Sequence, residues 1–193
     1  MSVTLGKGAN VSLSKEAPGL SAIVVGLGWQ ARSSTGAEFD LDASALLIGA
    51  NDKVPSDAHF IFYNNLLSPD GSVEHTGDDL TGGSGFEDDE QIKVNLAEVP
   101  RDIERIVVAV SIHDAHGRDQ NFGQVRRAFI RVVNQADERE LTRYDLSEDA
   151  STETAMIFGE LYRMRGEWKF RAVGQGYVSG LAGIATDFGV DIA

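Results

Sequence analysis

Apolar side chains recur along this chain mostly with a period of two, the spacing of a strand whose successive residues point to opposite faces. In residues 91–96, Ile92, Val94 and Leu96 share one face, while residues 22–27 form a compact apolar run. Residues 39–48 alternate at first and become wholly apolar at Ala45-Leu46-Leu47-Ile48. Residues 105–112 and 128–133 are rich in β-branched side chains, and residues 3–13, 59–63, 140–146 and 167–173 complete the candidate strands. Turn signals such as Asn51-Asp52, Pro69-Asp70-Gly71 and Arg165-Gly166 separate them. This pattern predicts a mostly β fold, an antiparallel β-sandwich with one or two short helices, in a single domain spanning residues 1–193. The predicted helix follows Ser147-Glu148-Asp149, which can cap and charge an N-terminus, with Ala155, Phe158, Leu161 and Tyr162 at helical spacing. A shorter turn is expected from Pro100, and the glycine-rich tail from Gly174 suggests no element.

Composition narrows the chemistry. The chain has no cysteine, which excludes disulfides, thiolate metal sites and thiol redox chemistry of its own. No stretch reaches the apolar length of a bilayer span, and residues 1–8 lack the basic start and apolar middle of a secretory signal, so a cytoplasmic protein is expected. The formal net charge is −13, a field that repels nucleic-acid phosphates and anionic membranes and attracts cations. Neither nucleic-acid binding nor direct membrane insertion is expected. The charge is unevenly placed: residues 70–90 carry eight acids and no Lys or Arg, more than half of the net excess.

Two acidic groupings stand out. Asp40 and Asp42 flank one residue of a strand-like stretch, so they point to the same face, close enough to share a cation. Like charges placed so are unfavourable unless neutralised or screened. The second grouping, Asp78, Asp79, Glu87, Asp88, Asp89 and Glu90, surrounds Gly82-Gly83-Ser84-Gly85. Glycines let a loop fold tightly and turn carbonyls inward, and calcium takes about six to eight oxygen ligands at roughly 2.3–2.6 Å. An EF-hand is excluded: with Asp79 first and Glu90 twelfth, Ser84 would occupy the position that requires glycine. The acids alone leave metal binding and a merely solvated charge run equally open.

Other chemistry finds little support. His113 and His116 with Asp114 and Asp119 match no zinc spacing, and His59 and His75 look scattered. Gly26-x-Gly28 precedes no helical pattern, Gly82-Gly83-Ser84-Gly85 leads to no Gly-Lys-Ser/Thr, and no nucleophile elbow is present. Trp29, Trp168 and Tyr177 read as packing residues. Arg126, Arg127 and Arg131 read as a solvated face that could also meet an acidic partner.

Longer motifs carry a resemblance. Val3-Thr4-Leu5-Gly6-Lys7-Gly8, Val25-Gly26-Leu27-Gly28-Trp29 and Phe39-Asp40-Leu41-Asp42-Ala43-Ser44 resemble the opening of the tellurium-resistance TerD family. His75-Thr76-Gly77-Asp78, Ile112-His113-Asp114-Ala115, the run from Tyr144 to Ala155 and Gly174-Gln175-Gly176-Tyr177 extend the likeness over essentially the whole chain. The sequence departs from the family at Gln30, where an Asp is common, and in a loop from Gly77 to Glu90 that is one residue longer.

The resemblance implies a β-sandwich that binds calcium, here two ions, through clustered acids. It also implies an association with bacterial resistance to tellurite and other stresses, without enzymatic activity. By position, Asp40, Asp42, Asp78, Asp88, Asp89 and Glu90 match the family's acidic motifs; Asp79 lies beside them, and Asp114 could close the site. The expected role is a calcium-dependent sensor or interaction module whose partners are other proteins of the tellurite-resistance system. A magnesium-dependent phosphohydrolase and a calcium-independent scaffold are the alternatives.

Overall fold

Alternation along the strands sorts the side chains into two sheets that share one core. The computed structural model describes residues 1–31, 39–77, 88–146 and 152–192. In chain order these form β1 (Val3–Leu5), β2 (Asn10–Ser12), α1 (Leu13–Glu16), β3 (Ala22–Ala31), β4 (Leu41–Gly49), β5 (Phe60–Ile61), β6 (Val73–His75) and β7 (Glu90–Asn95). Then follow β8 (Ile103–Ile112), β9 (Val125–Asn134), β10 (Glu140–Asp145), β11 (Ala155–Met164), β12 (Glu167–Tyr177) and α2 (Gly180–Asp187).

The first sheet has the order β1-β10-β9-β3-β7-β6 and the second β2-β12-β11-β8-β4-β5. Neighbours are antiparallel except β1, which runs parallel to β10 with Val3 opposite Thr142. Ile23, Val25 and Leu27 of β3, Ile92 and Val94 of β7, and Ile130 and Val132 of β9 face the second sheet. They meet Leu41, Ala43, Ala45 and Leu47 of β4 and Ile106, Val108, Val110 and Ile112 of β8. This is the antiparallel sandwich that the period-two pattern predicts.

A second, smaller core lies on the outer face of the second sheet. Leu46, Ile48, Val107, Ala109 and Ile157 pack there against Ile184, Ala185, Phe188 and Val190 in and beyond α2. Strands buried on both faces lose their alternation, which explains the unbroken apolar run at Ala45-Leu46-Leu47-Ile48. Among the described residues, no helix is long and apolar enough to cross a membrane.

Two expectations change. Ala155, Phe158, Leu161 and Tyr162 lie on strand β11, not on a helix. A bulge between Ile157 and Gly159 shifts the register against both neighbouring strands. Met156, Phe158 and Leu161 therefore all face the inter-sheet core, and the step of three from Phe158 to Leu161 imitates helical spacing. The capping residues Ser147, Glu148 and Asp149 lie outside the described residues. Conversely, the glycine-rich tail carries regular structure: β12 runs to Tyr177 and α2 follows. The turn at Pro100 is present, with Ile103 N–H donating to its carbonyl.

Tyr177 ties this tail together, its hydroxyl donating to Asp187 Oδ2 at 2.9 Å. Burial, and next the bond to Asp187, push the phenol from 10.0 up to about 12. A phenol that holds its proton more tightly when folded contributes stability that is present below pH 10 and lost as pH rises towards 12. Urea denaturation across that range should show the wild-type protein losing stability more steeply than Tyr177→Phe. Parallel curves would refute the assignment.

Candidate metal centre

The acidic segments converge on one end of the sandwich, where β3, β6 and β8 finish and β4 and β7 begin. At this end β5 is too short to cover β4, pairing only with Ala45 and Leu46. The backbone N–H of Ala43 is instead taken by a side chain from the other sheet: it donates to Glu90 Oε2 at 2.7 Å. Glu90 faces inward because it shares the parity of Ile92 and Val94 on β7. Its second described partner is His75, at the end of β6, with Nε2 3.2 Å from the same oxygen. Gly77 N–H donates to His75 Nδ1, which makes Nδ1 the acceptor and places the ring proton on Nε2, where it is donated to Glu90. Both side chains are 1% exposed.

Asp89 and Asp88 are handled differently. Asp89 N–H donates to Leu27 O at 2.8 Å, and Asp89 Oδ2 accepts from Trp29 N–H at 2.9 Å. Its carboxylate therefore caps the Trp29 N–H of β3 where the β3–β7 ladder stops, at this end, or mouth, of the sandwich. Asp88 turns to the opposite, outer face of the first sheet. There Arg131 grips it with a fork, Nε to Oδ1 at 2.6 Å and Nη2 to Oδ2 at 3.0 Å, and Gln91 Nε2 adds a bond at 3.1 Å. The bidentate geometry is the strong form of this pairing.

On the second sheet, Leu41 and Ala43 face the shared core, so Asp42 between them points outward. Asp42 is buried opposite Ser111 on β8, with His113 Nδ1 3.6 Å from its carboxylate. Asp40 lies one residue before β4 and half-buried, and its carbonyl accepts from His113 N–H at 2.8 Å, prolonging the β4–β8 ladder.

Residues 1–188 match the family model of the TerD domain. Tellurium resistance protein TerD of Serratia marcescens is 60% identical over 191 residues, covering 99% of each chain. The chain belongs to the TerD family. General stress protein 16U of Bacillus subtilis (strain 168) is 54% identical over 193 residues, the full length of both. The crystal structure of a homologue of telluride resistance protein (TerD) from Streptomyces coelicolor A3(2) shares the fold. Its TM-score is 0.67 at 24% identity, covering 86% of this chain and 96% of that one.

Within this TerD-family fold the predicted acids are divided by location. Glu90 is directed between the sheets, Asp89 bonds the Trp29 N–H of β3, Asp40 and Asp42 stand at the start of β4 with Asp42 directed outward, and Asp88 lies on the outer face of the first sheet. Asp114 sits in the exposed turn after β8, in a left-handed conformation at φ 48°, with its carboxylate against Gly117. Asp78 and Asp79 lie outside the described residues. Among the described residues, no three His, Asp or Glu side chains converge as a metal-ligating group. Their carboxylate oxygens are the donor type that a hard cation takes.

Sequence reasoning gave no role at this site to two participants, His75 and Arg131. His75 shares the parity of Val73, the buried residue two before it, which is the signal that it points inward. Arg131 alternates with the buried Ile130 and Val132 and so faces outward as expected; its acidic partner was not visible in the pattern.

Glu90→Ala would leave the Ala43 and His75 donors without this acceptor in a buried site. The loss should be about 2–4 kcal/mol in urea denaturation with chelator present, with Glu90→Gln, which keeps an acceptor oxygen, losing less. Wild-type stability in Glu90→Ala would show that the inter-sheet bond contributes nothing.

Proposed function

We propose that this TerD-family protein binds calcium and serves tellurite and stress resistance as a calcium-dependent interaction module in the cytoplasm, not as an enzyme. The observation that carries the reading is the pair of consecutive carboxylates, Asp89 and Glu90, both buried and each held by a backbone N–H donor at this end of the sandwich. Burying carboxylates is costly unless hydrogen bonds or a cation compensate them. Trp29 N–H and Ala43 N–H each orient one oxygen of these carboxylates. Asp42, buried on the other side of β4, is the anchor for a second ion. The names of the relatives, a tellurium resistance protein and a general stress protein, support the physiological setting.

In this reading calcium neutralises the mouth, and partner proteins of the resistance system recognise the ordered surface. The protein's own oxygens supply carboxylate ligands and the sandwich supplies the rigid platform. Binding of the folded state alone stabilises it by about 2.7 kcal/mol when free calcium is 100-fold above the dissociation constant.

Calorimetric titration of chelator-stripped protein should give saturable calcium binding in the roughly 0.1–10 μM range of sensor sites, with magnesium much weaker. Asp89→Asn combined with Glu90→Gln keeps the oxygens and removes two charges, and should abolish that binding. Absence of binding at millimolar calcium would overturn the proposal and leave a calcium-independent scaffold.

A further inference from the structure

In the Glu87-Asp88-Asp89-Glu90 run, a regular strand would send Asp88 and Glu90 to the same face. They go to opposite faces. Glu90 is directed between the sheets with Ile92 and Val94, whereas the Asp88 carboxylate lies over Gly26 on the outer face. The chain bends at Asp89 to make this switch.

The outer seat is built for a carboxylate. Gly26 sits opposite Arg131 on β9 and Gln91 on β7, and both of these side chains bond Asp88. A Cβ on Gly26 would fall 2.2 Å from Asp88 Oδ2, so only glycine leaves room at this point. The Asp88 side chain is 2% exposed, both of its oxygens are engaged, and it faces a guanidinium that also reaches Glu140 at 3.5 Å. Immediately beyond the seat, Asp89 N–H bonds Leu27 and its carboxylate accepts from Trp29 N–H.

We infer that Asp88 is a positioning residue and not a calcium ligand: clamped by Arg131 over Gly26, it sets the bend that delivers Asp89 and Glu90 to the mouth. This rests on the calcium reading for its functional meaning, whereas the clamp itself rests on the Arg131, Gln91 and Gly26 contacts alone. Arginine suits the role because its planar fork fixes the carboxylate in two directions at once, whereas a lysine would hold it as a point charge. The acidic run thus divides its labour: one acid spends its charge on an internal ion pair so that the next two face the mouth.

The test uses the full chain and two readouts, calcium affinity by calorimetry and amide hydrogen exchange at Trp29 and Asp89 in chelator. Gly26→Ala fills the seat without altering any charge, and Arg131→Met removes the fork without touching an acid. Each should weaken calcium binding by about 10-fold or more, as loss of an outer-shell support does, and speed exchange at both amides. Arg131→Lys should recover part of both effects, and Asp88→Asn should weaken binding less than Glu90→Gln. Abolition of binding by Asp88→Asn, with wild-type affinity in Gly26→Ala and Arg131→Met, would make Asp88 a ligand and overturn the inference. Were the wild-type protein not to bind calcium, exchange would still decide. Faster exchange in Gly26→Ala and Arg131→Met would uphold the clamp while the calcium reading fell, and unchanged exchange would reject both.

Discussion

A carboxylate taken out of water loses several kcal/mol of solvation unless the interior answers its charge, and Glu90 is taken out almost completely. What it gains is a bond that no backbone ladder provides: an acceptor from β7 of one sheet set on the Ala43 N–H of the other. Face-to-face sheets are otherwise joined by apolar contact, which is strong but not directional. At this end the polar bond and the imidazole of His75 fix the relative position of β4, β6 and β7. The strand ends bearing Asp42 and Asp89 inherit that position. The same residue is thus a structural tie and, in our proposal, part of a cation shell, and any ion there would meet oxygens already oriented by the fold.

Much of the fold was legible because alternation survives wherever a strand has one dry face and one wet face, as on β7 with its regular exchange of buried and half-buried residues. Legibility failed where a second layer or a bulge intervened. β11 is buried on both sides over Ala155 to Phe158 and slips by one residue before Gly159, so its apolar positions fall at both even and odd spacings. A periodicity reading has no means of knowing that a partner strand absorbs the extra residue.

The site was legible in composition and not in geometry. Consecutive acids announce a charged segment, but whether each faces a cation, a guanidinium or an amide depends on bends of a single residue. Asp88, Asp89 and Glu90 differ in partner for that reason alone, and Arg131, 43 positions from Asp88 along the chain, gives no local sign of the pairing. Gly26 offered the nearest hint. A glycine amid Val24, Val25 and Leu27 weakens a strand, and such a position commonly marks close approach by another group.

The layered arrangement also has a bearing on how the polypeptide is made. β1 finds its partner only when β10, more than 130 residues later, has been synthesised, since Val3 pairs with Thr142. The apolar outer face of β4, β8 and β11 is covered in large part by Ile184, Ala185, Phe188 and Val190, which follow all twelve strands of the described chain. During synthesis that face stays incompletely covered until the last segment emerges, and contacts so distant in sequence close slowly. A released chain cut shortly before Gly180 would therefore keep all twelve strands but carry a greasy flank, the kind of surface that chaperones and proteases recognise.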